Sequence, residues 1–270
     1  MFRLSAFADE ISPVLEEQID VLKLDGIDHI ELRGVSGKNV LDFTDDEVRQ
    51  FKGILDSRDV KISAIGSPIG KIKITDDFES HLVRFDRSIQ LARAFETPMI
   101  RIFSFFMPEG EDPAKYRDEV LSRMKTLAEI AKKEGVILVH ENEREIYGDT
   151  AARCLDVLES VGMDCLVACH DPANYNTIGE EAYPYAYNLL LPYIKHVHIK
   201  DAKMSNGEML TTLPGEGDGR IPETLADLKA RGYDGFLTME PHLAHAGTMF
   251  GFTGPDLFRQ AVASLKSILP

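Results

Sequence analysis

The stretch VILVHEN (residues 136–142) has the composition of a buried strand that ends in a carboxylate, and the arrangement recurs three times further along the chain. The other segments are CLVACHD (165–171), IKHVHIKD (194–201) and GFLTME (235–240). Each segment carries one metal-ligating side chain near its C-terminal end, and these are Glu141, Asp171, His198 and Glu240. Two Glu, one Asp and one His form a hard, oxygen-rich set, which suits Mn²⁺ or Mg²⁺ better than a soft structural zinc site.

The spacing of these four candidates points to a particular fold. Each gap between successive candidates holds roughly one strand-plus-helix unit. Consecutive units of this kind would aim their strand tips at one ion. That is the geometry at the top of a (β/α)₈ barrel.

The rest of the chain continues the same alternation of strands and helices. Four further strands are predicted ahead of the four above, at Arg3–Ala8, His29–Arg33, Lys61–Gly66 and Met99–Phe103. Strict alternation favours an α/β fold with a parallel sheet. A doubly wound sheet is the alternative, but no GxGxxG follows the first strand. Because a TIM barrel needs about 250 residues, we expect residues 1–270 to form one single-domain (β/α)8 TIM barrel.

Some local boundaries can also be predicted. Ser12 and Pro13 suit the N-cap and first position of helix 1. We expect one helix over Glu180–Leu190, and a glycine-containing loop from the end of strand 7 to Arg220.

Strand parity predicts a polar barrel interior. In HIELR (29–33) and HVHIK (196–200), polar and apolar residues alternate, so each type occupies one face of its strand. The outer face of a barrel packs on helices and must be apolar, which leaves the polar face pointing inward. His196 is therefore expected one layer below His198.

Charge and hydropathy exclude several classes of partner. With 30 Lys and Arg against 45 Asp and Glu, the net charge is −15, and this field would repel a nucleic acid. The sequence contains no apolar run of about 18 residues, the length that a transmembrane helix needs. The N-terminal stretch lacks a secretion-signal pattern. We therefore expect a cytoplasmic protein with a small-molecule partner and neither a nucleic acid nor a membrane partner. The sequence is compatible with either a monomer or a homo-oligomer.

Each candidate ligand has an ordinary explanation when it is taken alone. A strand-end Glu is commonly a solvated carboxylate, Asp171 before Pro172 suits a turn, and a lone strand His is commonly a core residue. Four such residues at four successive strand ends are much less expected by chance. The set therefore predicts one site.

Taken in order, seven motifs resemble the xylose isomerase-like TIM barrels of the sugar phosphate isomerase/epimerase superfamily. They are DEIS (9–12), IELR (30–33), VHENE (139–143), HDPAN (170–174), HVHIKD (196–201), PGEGDG (214–219) and FLTME (236–240). The resemblance covers nearly the whole chain and does not specify one substrate. It implies one divalent metal ion held by Glu141, Asp171, His198 and Glu240, with Mn²⁺ expected first and Mg²⁺, Co²⁺ or Zn²⁺ as alternatives. In sugar epimerases of this group the first and last positions also do acid–base chemistry, which falls here on Glu141 and Glu240.

The resemblance and the chemistry together predict a metal-dependent isomerase or epimerase of carbohydrate metabolism, acting on a keto-sugar or keto-inositol. One carboxylate would remove the proton beside the carbonyl and a second would return one, through an enediolate that a cation stabilises. The residues expected to bind substrate are Glu31, Arg33, Glu143, Asn174, Lys200 and Asp201. Several relatives have a His where this chain has Asn174, so that contact is weaker and neutral here. The acidic loop Pro214–Gly219 disfavours a phosphate group, so we expect an uncharged substrate.

Three other functions compete with this prediction. A dehydratase or lyase acting on a keto-polyol would begin with the same proton abstraction. A phosphodiester endonuclease-like hydrolase needs several zinc ions and extra His ligands, but the third strand supplies none and Asn174 replaces another. A non-catalytic sugar-binding protein would have little reason to keep all four ligands.

Overall fold

The computed structural model of the protein describes residues 2–205, 207–244 and 251–270, and at its centre is an eight-stranded parallel sheet. In chain order the strands are β1 (Arg3–Ala6), β2 (His29–Leu32), β3 (Lys61–Ile69), β4 (Met99–Ile102), β5 (Ile137–Glu141), β6 (Leu166–His170), β7 (Ile194–Ile199) and β8 (Phe236–Met239). From β2 to β8 each strand pairs with the next, and β8 pairs with β1. Because β1 and β2 also lie in contact, the barrel is nearly closed, which confirms the predicted TIM barrel.

Helices surround the sheet. The α-helices are α1 (Leu15–Leu24), α2 (Asp45–Ser57), α3 (Phe78–Ala94), α4 (Arg117–Glu134), α5 (Ala151–Val161), α6 (Pro172–Thr177), α7 (Tyr187–Leu190), α8 (Ile221–Ala230) and α9 (Pro255–Ile268). Short 3₁₀ turns lie at Ala8–Glu10, Val40–Asp42, Pro113–Tyr116 and Tyr147–Asp149, and a π-helical turn lies at Ala182–Ala186. Two small hairpins pair Gly34–Val35 with Lys38–Asn39, and Asp201–Ser205 with Glu208–Thr212. Within the described ranges, no helix combines the length and the apolar character needed to cross a bilayer.

The two faces of the barrel sheet have different chemistry. Outside, residues such as Ile100, Ile102 and Leu138 are buried against the helices in one hydrophobic core. Inside, Ser5 and Ser63 share a hydrogen bond of 2.6 Å, beside polar groups from other strands. This is the polar interior that strand parity predicts, and it supports the ends of the strands from below.

Three local boundaries differ from the predictions. Helix α1 begins at Leu15, because the Ser12 hydroxyl accepts the Val14 N–H (3.1 Å) and so forms a turn ahead of the helix. The expected helix over Glu180–Leu190 is divided into the π-helical turn and α7, and α6 precedes both directly after β6. The glycine-containing loop holds the second hairpin.

Candidate metal centre

The C-terminal ends of β5 to β8 bring the four candidate ligands together. One ligand atom from each of them lies within 4.8 Å of the other three, in a cluster formed by Glu141, Asp171, His198 and Glu240. Because these strands are successive neighbours in one parallel sheet, their tips share one edge of the barrel. All four side chains are buried.

The unsatisfied atoms of this cluster fit a cation. Four buried atoms of the cluster form no well-aligned hydrogen bond within the described part of the chain: Glu141 Oε2, Asp171 Oδ2, His198 Nδ1 and Glu240 Oε2. Buried polar atoms in native proteins are normally paired, because leaving them unpaired is costly. Three carboxylate oxygens and one imidazole nitrogen that converge in this way make a ligand set for a divalent ion.

The orientation of His198 supports the same interpretation. Its Nδ1 lies 3.2 Å from Glu141 Oε1 and 3.2 Å from Glu240 Oε2, whereas its Nε2 lies 3.3 Å from Glu31 Oε2. A proton on Nε2 would be donated to Glu31, and the Nδ1 lone pair would then face the cluster. A carboxylate behind a ligand histidine is a common support in metal sites.

Buried cations surround the cluster. Arg101 Nη1 lies 3.2 Å from Glu141 Oε2, and Lys200 Nζ lies 2.6 Å from Asp171 Oδ2. The guanidinium of Arg33 donates to Glu240 Oε1 at 3.2 Å. These three side chains offset part of the negative charge that the ligands bring into the barrel mouth.

The pKa values show that the cluster attracts positive charge. Burial would raise the pKa of Glu141, but His198 and Arg101 outweigh it and lower that pKa to about 2. For Asp171 burial dominates, and its pKa rises to about 6 despite Lys200. Burial opposes protonation of His198, yet Cys169, Glu141 and Glu31 raise its pKa well above the ordinary value. A site that holds a proton this strongly also favours a metal cation in its place.

Four of the predicted substrate-binding residues lie at or near the cluster. Arg33 and Lys200 contact its carboxylates directly. Asn174 Nδ2 lies 3.4 Å from Glu141 Oε1 and donates to the Asn142 carbonyl at 2.8 Å. Glu143 is on the rim, where it forms an ion pair with Lys71 at 3.1 Å.

The other two predicted substrate-binding residues point elsewhere. Glu31 is only 1% exposed and lies below the cluster, where its Oε2 is 2.7 Å from His196 Nε2 as well as near His198. Asp201 is fully buried, and its carboxylate accepts backbone N–H groups of the loop at Gly215, Gly217 and Gly219. Both carboxylates thus contact groups of the protein itself, because Glu31 faces inward from the middle of the sheet and Asp201 begins a hairpin, and their binding of substrate stays a prediction.

The structure also places residues at the site that the sequence reasoning did not select. The Phe7 ring meets the His198 ring edge-on, with 5.1 Å between the ring centroids, and the guanidinium of Arg33 stacks on the Phe7 ring at 4.4 Å. His242 Nε2 lies 3.3 Å from Glu240 Oε1 and 3.2 Å from Glu10 Oε1. Arg101 could have been found from parity, since it is the polar residue of an otherwise apolar strand. His242 follows the last strand in a loop and carries no such signal.

Fold and site together define a class, a (β/α)₈ barrel with a carboxylate-rich candidate metal centre at the C-terminal ends of its strands. Within that class the chain belongs to the xylose isomerase-like TIM barrel family, whose model matches residues 19–268. No curated protein sequence matches it.

Solved structures show the same fold at low sequence identity. The probable 3-DHS dehydratase AsbF of Bacillus anthracis superposes with a TM-score of 0.77 at 19% identity, over 98% of both chains. The D-psicose 3-epimerase of Clostridium cellulolyticum H10, solved with D-tagatose, gives 0.73 at 16% identity, over 99% of this chain and 98% of that one. A xylose isomerase-like TIM barrel protein of Mycobacterium smegmatis, in complex with magnesium, gives 0.71 at 19% identity, over 99% of this chain and 97% of that one.

Proposed function

We propose that the protein is a divalent-metal-dependent isomerase or epimerase of a keto-sugar or keto-inositol, which moves a proton through an enediolate. The observation that carries the proposal is the convergence of four buried ligand atoms that form no well-aligned hydrogen bond among the described residues. The family of the chain and the epimerases among its structural neighbours agree with this chemistry. Mn²⁺ is the ion we expect first, followed by Mg²⁺, and we expect a cytoplasmic enzyme.

The proton transfer falls to Glu141 and Glu240. Glu141 ends β5 and Glu240 directly follows β8, the two outer strands of the four that bear ligands, so they approach the cluster from its two sides. The pKa values of both carboxylates lie below the ordinary range, because neighbouring cationic groups outweigh burial. Each is therefore ionised at neutral pH, as a base that removes a C–H proton must be. When bound, the divalent ion would supply the positive charge that stabilises the enediolate.

Other side chains would hold the substrate. Arg101 and Lys200 flank the two carboxylates that end β5 and β6, where their N–H groups can also reach substrate hydroxyls. Asn174 adds a neutral donor beside Glu141. Glu31 is better suited to positioning His198 than to touching substrate, since it is buried beneath it.

A dehydratase is the second candidate, and one structural neighbour is a probable dehydratase. Elimination needs an acid that gives a proton to the departing hydroxyl, and two such groups contact carboxylates of the site, His242 and Lys200. Lys200 is the less suitable of the two. Burial favours its neutral form, but Asp171 and Glu240 outweigh burial and raise its pKa. A lysine that holds its proton so firmly is a weak acid, whereas at His242 Glu10 and Glu240 outweigh burial and raise the pKa only to about 9. We place the isomerase first because epimerases are among the structural neighbours.

Solvent exchange tests the proposal. Metal-stripped protein reloaded with Mn²⁺ or Mg²⁺ would be incubated in D₂O with a panel of ketoses and keto-inositols, and the products analysed by mass spectrometry and NMR. We expect metal-dependent deuterium incorporation beside the carbonyl, with an isomer or epimer as product. Glu134→Gln serves as the matched control, because Glu134 pairs with Arg93 on the outer surface.

Two other results of this experiment would each favour a different function. An unsaturated product with loss of water would replace the isomerase by the dehydratase. Polyol binding without any exchange, across the whole panel and both metals, would leave a non-catalytic sugar-binding protein.

A further inference from the structure

The loop after β7 is folded around a side chain of its own chain. Asp201 Oδ2 accepts the N–H groups of Gly215 (2.8 Å) and Gly217 (3.0 Å), and Asp201 Oδ1 accepts those of Gly219 and Ala202, both at 3.0 Å. Four backbone donors thus converge on one buried carboxylate. The segment 214–219 with Asp201 is called the glycine nest below.

Such convergent backbone N–H groups form an anion-binding concavity. In (β/α)₈ barrels, phosphate groups are frequently bound by the loops that follow strands 7 and 8, together with the N-terminus of a short helix. The glycine nest follows β7 and leads into α8, so it lies at that position in the chain. In this protein, however, the carboxylate of Asp201 already occupies the place of the anion.

We propose that Asp201 is a specificity-determining residue: its carboxylate fills the anion position of the glycine nest, so the site selects uncharged keto-polyols over their phosphate esters. This inference rests on the proposed function and adds the substrate class. A phosphate in the nest would have to displace a fully buried carboxylate that uses both of its oxygens.

The fit between the loop and the carboxylate is tight. A Cβ built at Gly217 would lie 2.3 Å from Asp201 Oδ1, and one at Gly219 would lie 2.8 Å from the same atom. The glycines are therefore required by the carboxylate that is present. They leave no room for a larger anion beside it.

The charges around the nest act in the same direction. Glu216 and Asp218 belong to the loop itself, and a phosphate dianion would be repelled by both. The neighbouring Arg220 forms an ion pair with Glu223 at 2.6 Å. At the mouth, Arg33, Arg101 and Lys200 are each paired with a carboxylate of the site.

Vacating the nest tests the proposal. Asp201→Ala removes the carboxylate, and inorganic phosphate is the probe, measured by calorimetry and by its effect on the melting temperature. We expect Asp201→Ala to bind phosphate with a Kd below about 1 mM, whereas wild type does not. Asp118→Ala is the matched control, because it removes one carboxylate from the exposed surface of α4, away from the glycine nest. Like wild type, it should show no phosphate binding.

A second measurement uses matched free and phosphorylated ketoses. Wild type should prefer the free sugar, and Asp201→Ala should shift the ratio of kcat/KM toward the phosphorylated member by at least about tenfold. The inference would be overturned by a folded Asp201→Ala variant that does not bind phosphate, or by wild type that binds phosphate with a Kd below about 1 mM. If Asp201→Ala does not fold, phosphate binding by wild type decides alone. Failure of every ketose to react would count against the proposed function, and the binding measurement would still judge the role of Asp201.

Discussion

Replacing Glu31 by Gln tests how the barrel interior supports the metal centre. The amide keeps the size of the side chain and one acceptor oxygen, but it loses the negative charge that faces His198 Nε2 at 3.3 Å. Without that charge the Nε2 proton is held less firmly and Nδ1 becomes a weaker ligand. We expect metal affinity to fall while the mouth of the site keeps its shape.

The size of the effect follows from the geometry. Loss of a partner behind a metal ligand typically costs about 10–100-fold in affinity, which is about 1.4–2.7 kcal/mol. The contact with His198 is long, and Glu31 also serves His196 at 2.7 Å. We therefore expect a loss near the lower limit, about tenfold.

Calorimetric titration of metal-stripped protein with Mn²⁺ measures this directly, with thermal unfolding as the check on folding. At saturating Mn²⁺, the KM of Glu31→Gln should stay near that of wild type, and Glu31→Asp should restore part of the metal affinity. Glu134→Gln is again the control on the outer surface. A raised KM with unchanged Mn²⁺ affinity would instead show that Glu31 binds substrate, and our reasoning about its position would be refuted.

Three further predictions concern catalysis and stability. Glu141→Gln and Glu240→Gln should each lower turnover at least about 10²-fold at saturating metal, and near-normal turnover in either variant would remove that residue from the catalytic role. His81 is buried, and its Nε2 accepts the Gly70 N–H at 2.8 Å. Burial, followed by Arg84 and Arg123, lowers the pKa of His81 to about 4. The folded state therefore binds a proton at His81 less readily than the unfolded chain does. Its contribution to the free energy of unfolding should be complete above pH 6.5 and be lost as the pH falls toward 4, and urea unfolding of His81→Gln over this range should show a shallower pH dependence than wild type. Thr44 forms a capping box with Glu47 at the start of α2, so Thr44→Ala should cost about 1 kcal/mol in urea unfolding; a change as small as that of Ser57→Ala, at the other end of the helix, would speak against the cap.

The features that could be predicted from sequence depend on short-range pattern. The strand β5 ends at Glu141 as expected, because its apolar run changes there to polar residues. Helix α3 spans Phe78–Ala94, since Asp77 caps it and its buried face is mostly apolar, and both features can be seen in the sequence. The convergence of ligands could be predicted too, because parallel neighbours in a barrel present their ends at one edge.

The features that could not be predicted depend on contacts between distant parts of the chain. Whether Asp201 faces substrate or a loop is decided by glycines 14 to 18 residues further on, whose N–H groups reach back to it. Glu31 contacts both His196 and His198 across the barrel interior, and its place in the HIELR segment does not indicate these partners. His242 reaches Glu240 and Glu10 from a loop, and no periodicity in the sequence describes such a path.

The barrel mouth is built from two unequal halves, and this has a consequence for laboratory evolution. The candidate metal ligands all lie at the C-terminal ends of β5 to β8, whereas Phe7, Arg33 and Arg101 belong to the earlier half of the chain. A mutant library confined to residues 7–103 would vary the walls around the substrate while the four ligand side chains keep their own strands. If Glu31, which supports His198, is kept fixed, such a library searches for new sugars while the ligands of the ion and their support are retained.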